Sequence, residues 1–410
     1  MRKLEEWAIL YVPRSEVLSV LQLCVINKPL FPYIKILQLW DVTGEFIPFI
    51  PSFLSPRTTT IEINFIKKGL PKAVVASMVA TLPTLCPNLR KICLPSLPRG
   101  PVITTAVSEM LLAINRNTLR AVYVNSPLTE EAREVIFKLP NLHELSVVIE
   151  KGTSSPSAVL PNLTFLFVEY DHGNDWLQMF RGTRLEKLDT IFFHSKSEQT
   201  GDFLEAFKRI ALAAFAQNTL SELGFYTSRS WNPNYSALLP FTQLTCLVVH
   251  CPCNGGCSSS VDDDTILNLA RTMPKLRFLR LGGTPCREIP IGVTVKGLVA
   301  LAHHCPDLST LRVHFQVASL SALPAMTSNA GSYALRMNCS LATLDVGEIR
   351  VQEESVVTVA LTLVFIFPHI KEIDHVDETW EKVVDTIHLS RLSRRIVDCS
   401  SKERLLYASE

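Results

Sequence analysis

One phrase recurs along this chain, and it restricts the fold more than any other feature. A Pro or polar residue is followed by x-L-x-x-L-x-L, reading FPYIKILQL from Phe31, CPNLRKICL from Cys86, LPNLHELSV from Leu139, LPNLTFLFV from Leu160, MPKLRFLRL from Met273 and CPDLSTLRV from Cys305. Looser copies are NTLRAVYV, RLEKLDTI, NTLSELGF, FTQLTCLVV, CSLATLDV, FPHIKEID and SPRTTTIEI, the last with polar Thr58 at its first position. The first apolar positions of the thirteen copies are 34, 58, 89, 119, 142, 163, 185, 220, 244, 276, 308, 341 and 370. Their spacing runs from 21 residues (142 to 163) to 35 (185 to 220), a long and irregular unit. Repetition at such a period marks stacked supersecondary units.

Within each copy the later apolar positions alternate as on a strand: Leu145 and Val147 point one way, Glu144, Ser146 and Val148 the other. Between copies the spacing changes. TEEAREVIFKL, DDDTILNLARTM and TVKGLVALAHHC carry apolar residues three and four apart, each opened by a Thr or Asp able to cap a helix. A strand-turn-helix-turn unit cannot bury its own apolar face, so neighbours must stack, strands in a parallel concave sheet and helices on the convex side. The expected fold is a curved α/β solenoid of about 13 irregular leucine-rich repeats over residues 31 to 375. Residues 1 to 30 would cap it, and residues 376 to 410 would form a last helix and a tail.

Length and composition agree with such an array. At 410 residues the chain exceeds one ordinary core, and no Gly/Ser-rich or Pro-rich linker divides it. Lys and Arg number 40 against 39 Asp and Glu, a formal charge of +1, which argues against nucleic acid as a partner. The apolar run from Val356 to Phe367 falls short of the roughly 20 residues a membrane span needs and is expected to be a buried helix. Glu5 and Glu6 interrupt the stretch where a secretory signal would be apolar, so no targeting signal is read. Eleven cysteines at unrelated spacings fit buried thiols in a reducing compartment, cytoplasm or nucleus.

The CPNL and CPDL strand phrases combined with the GLVALAHHC helix resemble the repeat region of fungal F-box/leucine-rich-repeat proteins, most closely over residues 262 to 315. The resemblance implies a substrate-recognition subunit of an SCF-type cullin-RING ubiquitin ligase, with the repeats choosing the substrate and an F-box docking on the adaptor. VPRSEVLSVLQ from Val12 is similar to the start of such a box, but the phrase at Phe31 leaves space for only part of one. The F-box is therefore expected to be absent or truncated and adaptor binding weak, and a free-standing scaffold without ligase association is the alternative.

No enzyme chemistry is assembled by the sequence, and neither cofactor nor metal is expected. In HCPCNGGCSSS, His250, Cys251, Cys253 and Cys257 lie close together, with Cys246 just before, but C-x-C-x-x-x-C lacks a second zinc knuckle and is read as a loop with unpaired thiols. A thiol or zinc-dependent enzyme is the distant alternative. His303 and His304 suit a helix C-terminus, and Cys305 holds the turn position that Cys86 and Leu139 hold in sister copies. Asp262, Asp263 and Asp264 lack the EF-hand pattern and read as a helix start. Gly255-Gly256 and Gly282-Gly283 lack the rest of a phosphate loop.

Strand alternation instead points to a binding face. If Leu279 and Leu281 face the core, Phe278 and Arg280 face outward, joined by Val248 and His250 one repeat earlier, Thr310, Arg312 and His314 one repeat later, and Thr343 and Asp345 beyond. The two arginines are predicted to be neighbours in a basic, aromatic-edged patch that chelates an acidic or phosphorylated segment of a partner protein.

Overall fold

The computed structural model describes residues 7–11, 29–66, 69–150, 160–171, 183–196, 203–214, 219–228, 233–250, 261–282, 292–322, 339–347, 349–375 and 377–407. The chain forms two compact units, residues 1–197 with 209–220, and residues 198–208 with 221–410.

In the first unit the strands are β1 (Trp7–Tyr11), β2 (Ile36–Val42), β3 (Thr60–Phe65), β4 (Lys91–Leu94), β5 (Ala121–Pro127), β6 (Glu144–Ile149), β7 (Phe165–Tyr170) and β8 (Thr190–Ser195). Each pairs in parallel with the next. The register stacks one apolar column, Leu37, Ile61, Ile92, Val122, Leu145, Leu166 and Ile191, every member at most 1% exposed. A one-residue slip would turn a whole strand's leucines outward, so burial itself fixes the alignment. The backbone repeats a second lock: the carbonyl just before a strand accepts two successive N–H groups of the next copy, as Arg90 does from Arg120 and Ala121, and Arg120 from His143 and Glu144.

The second unit holds β9 (Glu222–Thr227), β10 (Cys246–His250), β11 (Phe278–Leu281), β12 (Thr310–Val313), β13 (Thr343–Gly347) and β14 (Glu372–His375), again paired in parallel and in order. Its core column is Leu223, Leu247, Leu279, Leu311, Leu344 and Ile373. The same carbonyl lock runs through Ser221, Thr245, Arg277, Ser309 and Ala342. All thirteen phrases thus end on strands of open, all-parallel α/β sheets. The first strand, however, does not fall in the phrase at Phe31: Trp7–Tyr11, expected to lie in a cap, pairs with β2 from Trp7↔Ile36 to Tyr11↔Trp40. The segment WAILY carries no leucine phrase, yet its β-favouring residues meet an exposed sheet edge.

The helices follow the strands. In the first unit they are α1 (Ile50–Phe53), α2 (Lys72–Leu85), α3 (Pro101–Ala113) and α4 (Glu130–Ile136). The division between units falls inside α5 (Phe203–Ala214), and within the second unit Phe203 and Phe207 meet Phe225 edge-on at 5.5 and 5.2 Å. The second unit adds α6 (Asp263–Thr272), α7 (Val295–His304), α8 (Val356–Ile366) and α9 (Glu378–Tyr407). The three expected caps are present: Thr129 accepts from Ala132 N at 3.3 Å, Asp262 from Thr265 N at 2.8 Å and Thr294 from Lys296 N at 3.2 Å. Asp263, read from the sequence only as part of a helix start, reaches the next helix. Its Oδ1 accepts from Thr294 N (2.7 Å) and Gly297 N (3.0 Å), and its Oδ2 from the Thr294 hydroxyl (2.6 Å).

One expectation is corrected. The run from Val356 is a helix but not a fully buried one, because Val357, Leu361 and Phe365, each one turn apart, are 57%, 48% and 40% exposed. An apolar run without polar punctuation conceals which side faces out. Among the described residues no helix is long and apolar enough to cross a membrane.

Candidate functional site: a basic notch at the ends of β10, β11 and β12

The outward positions of β10 to β13 form rows. Cys246, Phe278, Thr310 and Thr343 align in one, and Val248, Arg280, Arg312 and Asp345 in the next. Their inward neighbours Leu279, Leu281, Leu311 and Val313 are buried, which drives the residues between them to the open face. Arg280 and Arg312 are therefore direct cross-strand partners, as the alternation predicts.

The two arginines are not equivalent, and this corrects the expected symmetrical clamp. Arg312 Nη1 lies 2.7 Å from Asp345 Oδ2, both side chains less than a quarter exposed. Arg280 has no ion-pair or hydrogen-bond partner among the described residues, and its Nε is buried without one. Burial, then the neighbouring Arg312 charge, push the Arg280 pKa down, and the opposing pull of Asp345 and Tyr226 offsets this only in part. The physical reason is position: Asp345 follows Arg312 on the next strand, whereas Arg280 has uncharged Val248 on its other side.

Beyond this row lies a gap. After Leu281 comes Gly282, with φ +87°, a conformation that suits glycine, and its N–H bonds the Val249 carbonyl at 2.9 Å. A Cβ there would approach His314 Nδ1 at 3.7 Å. His250 ends β10 and His314 follows β12, so the missing side chain leaves a notch between two imidazoles with Arg280 at its back. The Tyr226 ring stands 6.2 Å from that of His250. Buried His250 Nδ1, Arg280 Nε, Arg312 Nε and His314 Nε2 all lack a hydrogen-bond partner among the described residues. Burial, followed by the arginine charges, lowers the pKa of both histidines, that of His314 to about 4. At neutral pH the notch is thus two neutral imidazoles, each with one N–H, beside a guanidinium that has no direct ion pair among the described residues, a setting suited to an anionic oxygen.

The structure brings His250, Phe278, Arg280, Thr310, Arg312 and His314 together on one face. The sequence reading missed Gly282 as the opening and Asp345 as a counter-ion, although Arg280, Arg312 and Asp345 each stand four residues after the first leucine of their phrase, at 276, 308 and 341.

Cys251, Cys253, Cys257, Gly255, Gly256 and Gly283 lie outside the described residues, and among the described residues no group of three or more His, Cys, Asp or Glu is placed to hold a metal. Cys305 is fully buried, its thiol directed at the carbonyls of Ala270 (3.7 Å) and Met273 (3.6 Å), and burial pushes its pKa up to about 12. His303 and His304 pack edge to face at 4.7 Å at the end of α7.

No protein-family model matches the chain, and no curated protein matches it.

Proposed function

We propose that this chain is a leucine-rich-repeat protein-interaction module whose second unit captures an acidic or phosphorylated segment of a partner protein at the Arg280 notch. The observation that carries the reading is a guanidinium with no direct ion pair, set among buried polar nitrogens that have no hydrogen-bond partner among the described residues. An arriving carboxylate or phosphate supplies both the charge and the acceptor oxygens. The repeat assignment rests on the thirteen phrases and on parallel strands in consecutive order. A cytoplasmic or nuclear setting is in keeping with Cys86, Cys93, Cys246, Cys305 and Cys339, all free thiols. Titrating inorganic phosphate, or acetate in a parallel arm, while following the imidazole Cε1–H resonances tests the site. His250 and His314 should shift in wild type and not in Arg280→Ala, and unchanged resonances in wild type would refute the notch.

Within this reading, the resemblance to F-box proteins makes a ubiquitin-ligase substrate receptor the leading biological setting, with a free-standing scaffold as the alternative. Residues 1–410 should retain the cullin adaptor weakly, and fusion to an intact F-box should restore docking to a substrate-bound complex. Strong stoichiometric co-purification of the adaptor with the unfused chain would show that the N-terminal residues dock by themselves.

A further inference from the structure

The open face of the first unit carries a different surface. Tyr123, Ser146, Phe167 and Phe192 are successive cross-strand partners on β5 to β8, and Phe165 sits on β7 one row earlier. The rings of Tyr123 and Phe165 lie 5.7 Å apart and those of Phe165 and Phe192 6.2 Å, so a chain of half-buried aromatics crosses the sheet. Ser146 interrupts it, placing a hydroxymethyl group where both neighbours in the row carry rings. The stripe is electrically polar. At the strand C-terminal end Arg99 and Lys196 both contact the buried Glu169 carboxylate, His194 Nδ1 lies 3.9 Å from it, and Arg99 Nη2 also donates to Asn125 at 3.0 Å. Two cations and an imidazole against one carboxylate leave an excess of positive charge. At the opposite end the Lys91 ammonium lies 5.2 Å from the centre of the Tyr123 ring, and Tyr123 donates its hydroxyl to the Glu144 carboxylate at 2.7 Å.

We propose that this stripe is a second docking surface, independent of the Arg280 notch, for an extended partner segment that inserts an aromatic side chain over Ser146 and directs a carboxylate toward Lys196 and Arg99. Aromatic walls favour offset and edge-on ring contacts, and the row of Ser146 and that of Glu169 are separated by two residues along the strands, roughly 7 Å, within reach of a neighbouring acidic side chain. The charge asymmetry fixes the direction in which the segment lies. Glu169 acts as a positioning residue, holding both cations at the rim with its own charge outnumbered.

The test uses the full chain and N-acetyl-phenylalanine, which carries a ring and a carboxylate on one backbone unit, with its amide and acetate as controls, read by saturation-transfer difference NMR. The acid should give a saturable ring signal, the amide about five-fold weaker binding, and acetate none that competes. Ser146→Phe, which fills the gap, should abolish the signal, and Lys196→Gln should reduce acid binding to the level of the amide. Equal binding of acid and amide, or an undiminished signal in a folded Ser146→Phe, overturns the proposal. Should Ser146→Phe fail to fold, Lys196→Gln decides alone. A signal that appears only on diluting the protein would show that a second copy of the chain covers the face, and this too overturns it.

Discussion

Arg312 and Asp345, cross-strand partners on β12 and β13, lie 2.7 Å apart, and Arg280 of the adjoining strand feels Asp345 as an opposite charge without forming a direct ion pair among the described residues. The pair therefore does two things: it neutralises one guanidinium and holds the other beside a charge of like sign. Asp345→Asn should destabilise the fold by about 1–2 kcal/mol, between the values for exposed and buried pairs. A double-mutant cycle with Arg312→Gln, read by urea unfolding, should return a favourable coupling, and additive single effects would show that the pair contributes nothing.

His314 ties stability to pH. Its folded pKa, about 4, lies below the usual histidine value near 6.5, so between these limits the unfolded chain binds more protons than the folded one. Its contribution is fully present above pH about 6.5 and is lost as pH falls toward 4, on the order of 1–3 kcal/mol. His314→Gln should flatten that part of the profile in a series of urea melts. An identical slope in wild type and variant would contradict the assignment.

Glu169 acts lower on the scale. Burial alone would raise its pKa, but hydrogen bonds from His194, Lys196 and Arg99 outweigh that and hold the carboxyl at about 2. Stability gained from it is present above the ordinary carboxylate range and disappears as pH falls through about 2. Glu169→Gln should weaken the fold at pH 7 and lose the acid-limb slope, measured against wild type between pH 5 and pH 2. Retention of the full slope would place the acid sensitivity elsewhere.

The carboxylate of Asp263 and the missing side chain of Gly297 form one joint between α6 and α7. A Cβ on Gly297 would lie 2.8 Å from Asp263 Oδ1 and 3.0 Å from Val293 Cγ1. Gly297→Ala should cost about 1–3 kcal/mol despite the better helix propensity of alanine. Asp263→Ala should cost about as much by releasing two N–H groups and a hydroxyl. Unchanged melting temperatures in both would show that the joint is slack.

Much of this arrangement is legible in the sequence because the phrase counts residues. Position 4 after the leading leucine gives Arg280, Arg312 and Asp345, and position 6 gives His250, Gly282 and His314, so the rows of the notch can be written out from Leu244, Leu276, Leu308 and Leu341 alone. Side-chain pairing is less legible: whether Arg312 turns toward Asp345 or Arg280 is a contest of charges that alternation does not rank. Helix α2 escapes the reading because its N-cap is Pro71, which offers no side-chain cap, and it carries Pro83 in its last turn. Strand β1 escapes because WAILY earns its place by pairing with β2 rather than by repeating the phrase.

The most direct measurement of the central claim is quantitative affinity purification from cells with wild type and Arg280→Ala, each with and without phosphatase treatment. Arg280 lies on the open face of the sheet between the core residues Leu279 and Leu281, so the variant should melt as wild type does, yet recovery of the specific partners should fall about ten-fold or more, the equivalent of roughly 1.4 kcal/mol. Phosphatase should reproduce the loss if the segment is phosphorylated and leave it unchanged if the segment is acidic. Recovery of the same partners in the same amounts by Arg280→Ala would contradict the notch as the place where this protein binds them.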